Sequence, residues 1–382
     1  MSAGPLRRIL HFAEDSDTSG FFPQLARWHD RSRYKMVFGT LKPMAPWLRE
    51  HMESQGVRCF SCECRCRREY PLGLMRLSAF LRRESVDILH THLFDPSVVG
   101  LQAGILAGTP VRVVTRHHSD YHTRIGKRWH VLLDQLCTRQ SHAVIAVSQH
   151  TAEHLVSVEG APRDKVRVIL NGVDFERVRT SGADARERVR RELAIGEEAL
   201  LLTAARLHPE KGYEHLFRAV PEVRRLSKRS IVWLVAGTGP FEERYREMVR
   251  AMGCADVVRF LGFRGDLPDL MAAADLFVLA SVTEAFGLVL AESLGLGTPV
   301  VATRVGGIPE IVDDGVDGQL VAPCDSPALA TAIAGLLNEP AALLRLRGAG
   351  RSKVMQRFRF EEMMRRYESV YQDLLSPARP AA

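Results

Sequence analysis

The chain has 382 residues, of which 46% are hydrophobic and 25% are charged, as is typical of soluble folded proteins and not of disordered or fibrous ones. This length favours two domains. The net charge of +7, from 52 basic and 45 acidic residues, suggests an anionic partner such as nucleotide phosphates, anionic lipid or nucleic acid. No apolar run approaches the roughly 20 residues that span a bilayer. Residues 1–15 hold no apolar run of the length found in secretion signals, so we expect a cytoplasmic protein.

Strand-like and helical segments alternate along the first half of the chain. Strand patterns occupy residues 8–12, 34–39, 57–62, 86–91, 111–115, 143–147 and 166–169. Helical patterns fall between them, at residues 24–32, 74–84, 97–107, 130–139 and 152–159. This alternation is typical of a parallel sheet with helices on both faces.

The alternation resumes after a charged stretch, residues 175–198, that has no strand pattern. Strands are predicted at 200–204, 230–236, 257–261, 276–279, 300–302 and 319–321, and helices at 214–227, 241–252, 267–273, 288–294, 308–312, 327–337 and 360–375. We therefore predict an α/β fold of two doubly wound, Rossmann-like domains that face each other across a cleft, with ligands at the carboxyl ends of the strands. The expected bounds are 1–176 for the first domain, 177–198 for a linker with helical content, 199–358 for the second domain and 359–382 for a last helix.

Two glutamates stand eight residues apart at the start of a predicted helix. Glu284 follows the strand at 276–279, and Glu292 lies on the helix after a turn of small residues. Eight helical residues rise by roughly 12 Å, so one carboxylate can meet the hexose and the other the ribose of a nucleotide-sugar. The backbone N–H groups of residues 285–288 suit a phosphate or a sugar oxygen. The alternative is an ordinary helix with acidic residues near its N-terminus, where the helix dipole favours them.

A basic loop and two glycine-rich turns follow other predicted strands. Arg206 and Lys211 put two cations five residues apart in ARLHPEKG, where they suit a diphosphate; a solvated basic loop is the alternative. The segment lacks the GxxxxGK[ST] pattern of a P-loop. Gly237 and Gly239 in AGTGP either allow close approach of a ligand or form a tight turn. In VGGIPE, two glycines precede a short helix whose N-terminus also suits an anion.

Histidines and cysteines cluster in the first half. Four histidines lie near the ends of predicted strands: His90, His92, His117 and His118. They line a cleft or are structural, and a metal site would need converging ligands at a defined spacing. Four cysteines fall within eight residues: Cys59, Cys62, Cys64 and Cys66. Because no second spaced pair follows, they indicate a strand that runs into an Arg-rich loop, with metal binding as the alternative.

Together these motifs resemble those of the group 1 glycosyltransferases, the retaining, two-domain GT-B enzymes often called family four. The E-x7-E motif of that family is matched by EAFGLVLAE, from Glu284 to Glu292. Other matching segments occur in the expected order: VSQHTAEHL, VILNGVD, ARLHPEKG, GTGP, FLGFRGDLPDLMAAADLFVLAS, GTPVVATRVGGIPEIV and DDGVDGQLV. The resemblance covers nearly the whole chain, from about Ile9 to Leu375.

The resemblance implies a donor site in the second domain. Arg206 and Lys211 are expected to hold the donor diphosphate, and Glu292 to bind the ribose hydroxyls. Glu284 is expected to face the transferred sugar, together with the backbone amides that follow it. The remaining residues expected at the donor are Gly237, Gly239, Phe263, Arg264, Ala285, Phe286, Gly287 and Leu288. Among these, Phe263 and Arg264 lie where the family's backbone recognises the base.

The resemblance also implies an acceptor side in the first domain. The segment Thr115-Arg-His117 matches the T-x-H motif of the family, which places His117 beneath the sugar as a catalytic residue. His118 is the alternative if the register differs by one residue. The last helix is expected to cross back and pack on the first domain. The expected acceptor-side residues are Gly20, His92, His118 and Asn171, the last of which opens the NGVD segment that closes the first domain.

The chain departs from the family pattern at three places. Residues 17–22 contain one glycine, Gly20, where members often carry two, and this puts the acceptor geometry in question. Ala280 replaces the usual proline, and Ala285 replaces the usual glycine. The methyl group of Ala285 beside the sugar is expected to narrow the choice of donor.

The expected activity is transfer of a hexose from a UDP- or GDP-sugar to a hydroxyl of a saccharide or glycolipid, with retention, in the synthesis of cell-surface polysaccharide or glycolipid. We expect no metal and no cofactor, because the cations supply the charge that the leaving diphosphate needs. The expected partners are the nucleotide-sugar, a saccharide or lipid-linked acceptor and the anionic inner face of the membrane. Nucleic acid is not expected, because no aromatic-interleaved basic motif is present. The basic residues expected near the membrane or acceptor are Arg65, Arg67, Arg68, Arg124, Lys127 and Arg128.

Two alternatives remain open. A sugar-nucleotide epimerase or a phosphorylase shares the fold, and the combination of E-x7-E with ARL…KG favours the transferase over both. A non-catalytic binding or scaffold protein with a relic donor site belongs to a different class. The presence of each expected charged donor residue disfavours it.

Overall fold

The computed structural model describes residues 6–14, 20–118 and 128–376 of the chain. These residues form two compact units. One comprises Met1–Leu170 together with Phe360–Ala382, and the other comprises Asn171–Arg359. Each unit contains one parallel β-sheet with helices between its strands, so the predicted α/β class is confirmed.

The first unit is built on a seven-stranded parallel sheet in the order β3-β2-β1-β4-β5-β6-β7. Its strands are β1 Arg7–Ala13, β2 Tyr34–Thr40, β3 Arg58–Ser61, β4 Ile88–His92, β5 Val111–Arg116, β6 Ala143–Ala146 and β7 Val166–Val168. Its α-helices are Phe21–Trp28, Pro46–Ser54, Tyr70–Arg83, Phe94–Ala107, Arg128–Gln140, Gln149–Ser157 and Phe360–Leu375.

The helices of the first unit cover both faces of its sheet, because alternate side chains of a strand point to opposite faces. On β1, Ile9 packs with apolar residues of Phe21–Trp28, Pro46–Ser54 and the last helix. The next residue, Leu10, packs on the other face against Tyr70–Arg83 and Phe94–Ala107.

The last helix, Phe360–Leu375, packs into the first unit. Tyr367 and Tyr371 are fully buried there, and the Glu368 carboxylate accepts a hydrogen bond from the backbone N–H of Asp30 at 2.8 Å.

The second unit is built on a six-stranded parallel sheet in the order β10-β9-β8-β11-β12-β13. Its strands are β8 Ala199–Ala204, β9 Ile231–Ala236, β10 Val258–Gly262, β11 Leu276–Leu279, β12 Val300–Thr303 and β13 Gly318–Val321. Its α-helices are Ala185–Glu192, Tyr213–Leu226, Glu242–Ala251, Leu267–Ala273, Leu288–Gly295, Ile308–Ile311, Ser326–Asn338 and Pro340–Arg357.

The stretch expected to be a linker, residues 177–198, lies inside the second unit. Its helix Ala185–Glu192 packs against Leu267–Ala273. Arg186 donates to the Asp275 carboxylate at 2.6 Å, and Arg188 donates to the Asp269 carboxylate at 2.8 Å. The arginines of this stretch therefore form ion pairs that hold the helix against the second unit, and the stretch is not a separate linker.

Among the described residues, no single helix has the length and apolar composition to cross a membrane. The pair Ser326–Asn338 and Pro340–Arg357 meets that requirement only when taken together, with a bend of 100° between them.

Candidate functional site

Five loops of the second unit leave the carboxyl edge of its sheet side by side. They follow β10, β9, β8, β11 and β12, which are neighbours in this order, and the strands are all parallel. Each predicted donor motif lies in one of these loops or on the helix that follows it. The fold therefore brings motifs that are up to about a hundred residues apart in the chain to one edge, where ligands of such sheets bind.

Lys211 and Glu284 form the central contact of this edge. The Lys211 ammonium lies 2.6 Å from a carboxylate oxygen of Glu284, and the Ser281 hydroxyl donates to the same oxygen at 3.4 Å. The loops are also joined by their backbones, because the N–H of Val282 donates to the Glu210 carbonyl at 2.8 Å. Both charged side chains are less than one fifth exposed. Two of the four predicted catalytic groups thus lie together as a partly desolvated ion pair.

Arg206 lies in the same loop as Lys211 but is 61% exposed. Its guanidinium donates to the Glu210 carboxylate at 2.5 Å. Sequence analysis missed Glu210, although a carboxylate directly before Lys211 in HPEKG was a usable signal. Arg206 is the exposed partner of this pair, whereas Glu210 is only 12% exposed and has His208 Nδ1 at 3.7 Å from its carboxylate. The Arg206 guanidinium is therefore accessible to a diphosphate.

Glu292 lies on the helix Leu288–Gly295 and is partly buried. Desolvation raises the pKa of its carboxyl group to about 7, against the opposing effect of the Arg177 charge. The group is therefore close to half protonated at neutral pH. It can accept from a ribose hydroxyl when ionised and donate to one when neutral.

Gly306 holds the backbone of Glu284 in place. Its φ is +53°, and a Cβ atom at this position would lie 1.5 Å from the Glu284 carbonyl oxygen. The N–H of Gly307 donates to the same oxygen at 3.3 Å. The VGG turn after β12 is thus a backbone support for the Glu284 loop.

The other predicted donor residues lie in different surroundings within the second unit. A Cβ atom on Gly237 or Gly239 would collide with the backbone of the neighbouring loop, at Ala205 and Leu207 respectively, so protein packing alone accounts for both glycines. Phe286 is buried and packs edge-on against Phe358, which leaves its backbone as the part that a donor could contact. Ala285 and Gly287 are also buried, and Leu288 begins the helix.

Phe263 and Arg264 follow β10 at the far side of the same edge. The Phe263 side chain is exposed, which suits a residue that could stack on a base. Arg264 is held by Asp266 at 2.6 Å and by Glu192 at 3.0 Å, and these carboxylates raise the pKa of its guanidinium. Its charge is therefore already neutralised within the unit.

A chain of three imidazoles, of which His11 and His92 are buried and His117 is partly buried, lies in the first unit. His11 Nδ1 is 3.0 Å from His92 Nε2, and His92 Nδ1 is 3.1 Å from His117 Nε2. Burial lowers the pKa of His11 to about 3, with a smaller effect of the His29 charge, and lowers the pKa of His92 well below its usual value. A neutral imidazole has one donor and one acceptor, so the tautomer of His117 is coupled to those of the two histidines behind it.

His90 completes this cluster beside the chain. Its Nδ1 lies 2.6 Å from the Tyr371 hydroxyl and its Nε2 lies 2.6 Å from the Thr115 hydroxyl. Nitrogens of His11, His90 and His92 come within 4.8 Å of one another, the only such metal-compatible group among the described residues. Because both nitrogens of His90 and of His92 already have hydrogen-bond partners, a cation would have to break existing bonds.

The remaining acceptor-side residues lie in different places. His118 is 3.5 Å from the buried Asp134 carboxylate and so joins a different network from His117. Gly20 has a φ of +74° and precedes the helix Phe21–Trp28, while residues 17–19 beside it lie outside the described residues. Asn171 is buried and is the first residue of the second unit, whereas it was expected near the end of the first domain.

The cysteine cluster behaves as ordinary thiols. Cys62 and Cys64 are buried, and burial raises the pKa of both. Each donates to a backbone carbonyl, Cys62 to Gly73 at 3.5 Å and Cys64 to Glu69 at 3.4 Å. The metal-binding alternative has no support in the described part of the chain, since these thiols do not group at metal-ligand spacing.

Comparisons with known proteins agree with this geometry. The family model described as "Glycosyl transferases group 1" matches residues 185–353, and that described as "Glycosyltransferase Family 4" matches residues 23–177. A D-inositol 3-phosphate glycosyltransferase of Saccharomonospora viridis is 31% identical over 81% of this chain and 75% of its own. An uncharacterized glycosyltransferase of Methanocaldococcus jannaschii is 31% identical over 71% of this chain and 70% of its own.

Solved structures of similar fold cover the chain almost completely. The Anabaena protein HepE, solved with UDP and glucose, superposes with a TM-score of 0.83 at 22% identity, covering 96% of this chain and 100% of its own. Sucrose-phosphate synthase from Thermosynechococcus elongatus superposes with a TM-score of 0.82 at 22% identity, covering 96% of this chain and 99% of its own.

Proposed function

The chain belongs to the group 1 glycosyltransferases of the family 4 type, with the two-domain GT-B fold, and we propose that it transfers a hexose from a UDP- or GDP-sugar to a hydroxyl group with retention. The acceptor is a saccharide or glycolipid of the kind used to build cell-surface polysaccharide or glycolipid. The observation that supports this most is the meeting of Lys211, Arg206 and Glu284 at one sheet edge, where cations for a diphosphate lie beside a carboxylate for a sugar.

The donor diphosphate replaces one internal carboxylate contact and shares a second. Its oxygens replace Glu210 at the Arg206 guanidinium and share the Lys211 ammonium with Glu284. When the bond between the anomeric carbon and the diphosphate breaks, negative charge grows on the leaving oxygen. The partly desolvated Lys211 ammonium and the more exposed Arg206 guanidinium stabilise that charge more in the transition state than in the ground state.

The acceptor hydroxyl attacks from the face that the diphosphate leaves, and its proton passes to the leaving phosphate oxygen. This path retains the anomeric configuration without a covalent intermediate on the protein. Glu284, released from part of its contact with Lys211, accepts hydrogen bonds from hydroxyls of the transferred sugar. No metal or cofactor is part of this proposal, since the cations and backbone amides supply the stabilising charge.

The names of similar proteins support the choice of donor class. One relative, 35% identical over 54% of this chain, is a GDP-mannose-dependent mannosyltransferase of Mycolicibacterium smegmatis, and the HepE structures hold UDP or UDP-glucose.

We propose that the enzyme works in the cytoplasm, at the inner face of the membrane where lipid-linked acceptors lie. Of the basic residues expected there, Arg65, Arg67 and Arg68 are exposed, while Arg124 and Lys127 lie outside the described residues, as does the side chain of Arg128.

The proposal is tested by a panel of nucleotide-sugars with saccharide and lipid-linked acceptors, in the presence of a chelator. Acceptor-dependent release of UDP or GDP, with product of retained configuration, is the expected result. Conversion of the free nucleotide-sugar to an epimer without acceptor would identify an epimerase instead. If calorimetry detects no binding of either nucleoside diphosphate, the chain is not a transferase of this kind.

Binding of UDP or GDP is expected to weaken as the pH falls through about 7, because the raised pKa of Glu292 leaves its carboxyl group neutral below that value. The ionised form accepts charge-assisted hydrogen bonds from both ribose hydroxyls, and the neutral form makes weaker, uncharged ones. Affinity therefore changes by up to about tenfold per pH unit. The folding stability of the unliganded protein depends on pH in the opposite direction. The neutral Glu292 carboxyl group favours the folded state at low pH, and this contribution is lost as the pH rises through about 7.

Isothermal titration at several pH values measures this effect. In Glu292→Gln the Glu292 part of the pH dependence disappears, while the part due to the phosphate itself remains. An unchanged pH profile in this variant would show that Glu292 does not contact the nucleotide.

A further inference from the structure

The helix Arg128–Gln140 buries polar side chains and exposes large apolar ones. Asp134 and Thr138 are buried, and Asp134 accepts a hydrogen bond from the buried guanidinium of Arg116. Three large apolar side chains on the opposite side, at spacings of three and four residues, are exposed: Trp129, Leu132 and Leu136. A surface helix normally has the reverse arrangement, which makes this exposed side a candidate interaction surface.

The two neighbouring helices extend the same surface. Phe94–Ala107 is joined to Arg128–Gln140 by a hydrogen bond of 2.7 Å between Gln102 and Gln140, and it packs along Tyr70–Arg83. Four more large apolar side chains are exposed on these two helices: Leu72, Met75, Ile105 and Leu106. We call the exposed face of the three helices, with its seven apolar side chains, the outer helix face. Scattered apolar residues are normal on a protein surface, but seven large ones on three adjacent helices indicate a candidate interaction site.

Several exposed arginines lie on the same three helices or next to them, and two of them contact residues of the outer helix face. The Arg67 guanidinium lies 5.5 Å from the centre of the Trp129 ring, and Arg82 donates to the backbone carbonyl of Leu106. Further exposed arginines are Arg68, Arg76, Arg83 and Arg139.

The acidic residues of the three helices are already engaged. Asp95 is held by Arg67 at 3.0 Å and by the Tyr70 hydroxyl at 2.7 Å, and Asp134 is buried against Arg116. Arg67 and Arg83 are paired in turn with Asp95 and Glu84, which leaves Arg68, Arg76, Arg82 and Arg139 without an ion pair in the described part of the chain. The outer helix face therefore presents apolar side chains together with these four positive charges.

We propose that the outer helix face docks on an anionic lipid bilayer. Its apolar side chains enter the boundary between headgroups and acyl chains, and its arginines bind lipid phosphates. A second copy of the chain would bring the same arginines against this surface, and like charges disfavour that pairing. This inference identifies the surface for the membrane contact proposed above, and it does not depend on which donor the second unit binds.

The full-length protein is sedimented with vesicles of equimolar phosphatidylcholine and phosphatidylglycerol, and with vesicles of phosphatidylcholine alone. Binding is expected to be at least about tenfold stronger to the anionic vesicles and to weaken as salt is added. The double variant Leu132→Asp, Met75→Asp should lose about tenfold in affinity, because its carboxylates are repelled by lipid phosphates and cannot enter the acyl region. Both positions are more than 60% exposed, so the variant should fold normally.

The matched control is Leu344→Asp, which makes the same change at a position that is 68% exposed on the second unit. It should bind vesicles like the unchanged protein. Equal binding to both kinds of vesicle, or equal loss in the control, would overturn the proposal. The proposal would also be overturned if the unchanged protein formed a dimer that the double substitution dissociates, and if neither protein bound to the vesicles. Nucleoside diphosphate binding, measured on the same variants, reports separately on the donor site, so that failure of docking is distinguished from failure of the proposed reaction.

Discussion

Lys211→Ala is expected to lower turnover by about a hundredfold to a thousandfold, the loss seen when one group that stabilises transition-state charge is removed. The reason lies in the position of the ammonium, 2.6 Å from Glu284 and in the same loop as Arg206. Without it, one of two cations facing the leaving diphosphate is missing, and Glu284 keeps an unpaired charge in a partly desolvated place. The effect should fall mainly on kcat, because charge on the leaving oxygen is greatest in the transition state.

The matched control is Lys353→Ala. Lys353 is 18% exposed, against 19% for Lys211, and it pairs with Asp313 at 3.0 Å and with Asp317. These aspartates precede β13 at the amino edge of the sheet, so the control removes an equivalent ion pair away from the donor loops. It should cost stability but not turnover. If both variants lose turnover equally, or if Arg206→Ala and Glu284→Gln leave it unchanged, the catalytic assignment is wrong.

The double variant Lys211→Ala, Glu284→Gln tests whether the two side chains act together in turnover. Residues in direct contact do not contribute additively, so its loss should be smaller than the product of the two single losses. Full multiplicativity would show that the two side chains act independently, which contradicts a shared role at the donor.

Most strands could be predicted because a strand buried on both faces appears as an unbroken apolar run. The run IVWLVA is Ile231–Ala236 in the structure, and it was predicted from residue 230 to residue 236. Two helices were missed because few of their side chains are buried. Pro46–Ser54 buries Leu48 and Met52 alone, which is too sparse for a helical period to be visible. Pro340–Arg357, with four buried residues in eighteen, was missed for the same reason.

The residue types of the site could be predicted, but its contacts could not. Lys211 and Glu284 are 73 positions apart, and they meet because β8 and β11 are neighbours, an order that no local pattern encodes. His11 shows this limit most clearly. It was not singled out, although β1 pairs with β4 and sets it opposite His90. The packing role of the glycines could not be read from the sequence, because a glycine-rich turn looks the same whether it approaches a ligand or another loop.

Gly306→Ala is expected to destabilise the second unit by about 3 kcal/mol, from the strain of a positive φ on a residue with a Cβ atom and from overpacking. That atom would lie 1.5 Å from the Glu284 carbonyl oxygen, so one of the two loops must move. A shift of the Glu284 loop also misplaces its carboxylate relative to Lys211. Turnover should therefore fall by at least about tenfold more than the loss of folded protein explains.

Substitutions at two other glycines separate the effect of backbone strain from that of overpacking. Gly315 has a φ of +76° with no atom within 4 Å of its Cβ position, so Gly315→Ala should cost about 1 kcal/mol from backbone strain alone. Gly335 lies in the helix Ser326–Asn338 with open space around it, and Gly335→Ala should raise stability by roughly 0.5–1 kcal/mol. Urea unfolding and turnover are measured on all three variants. If Gly306→Ala costs no more than Gly315→Ala and keeps normal turnover, the VGG turn does not support the Glu284 loop.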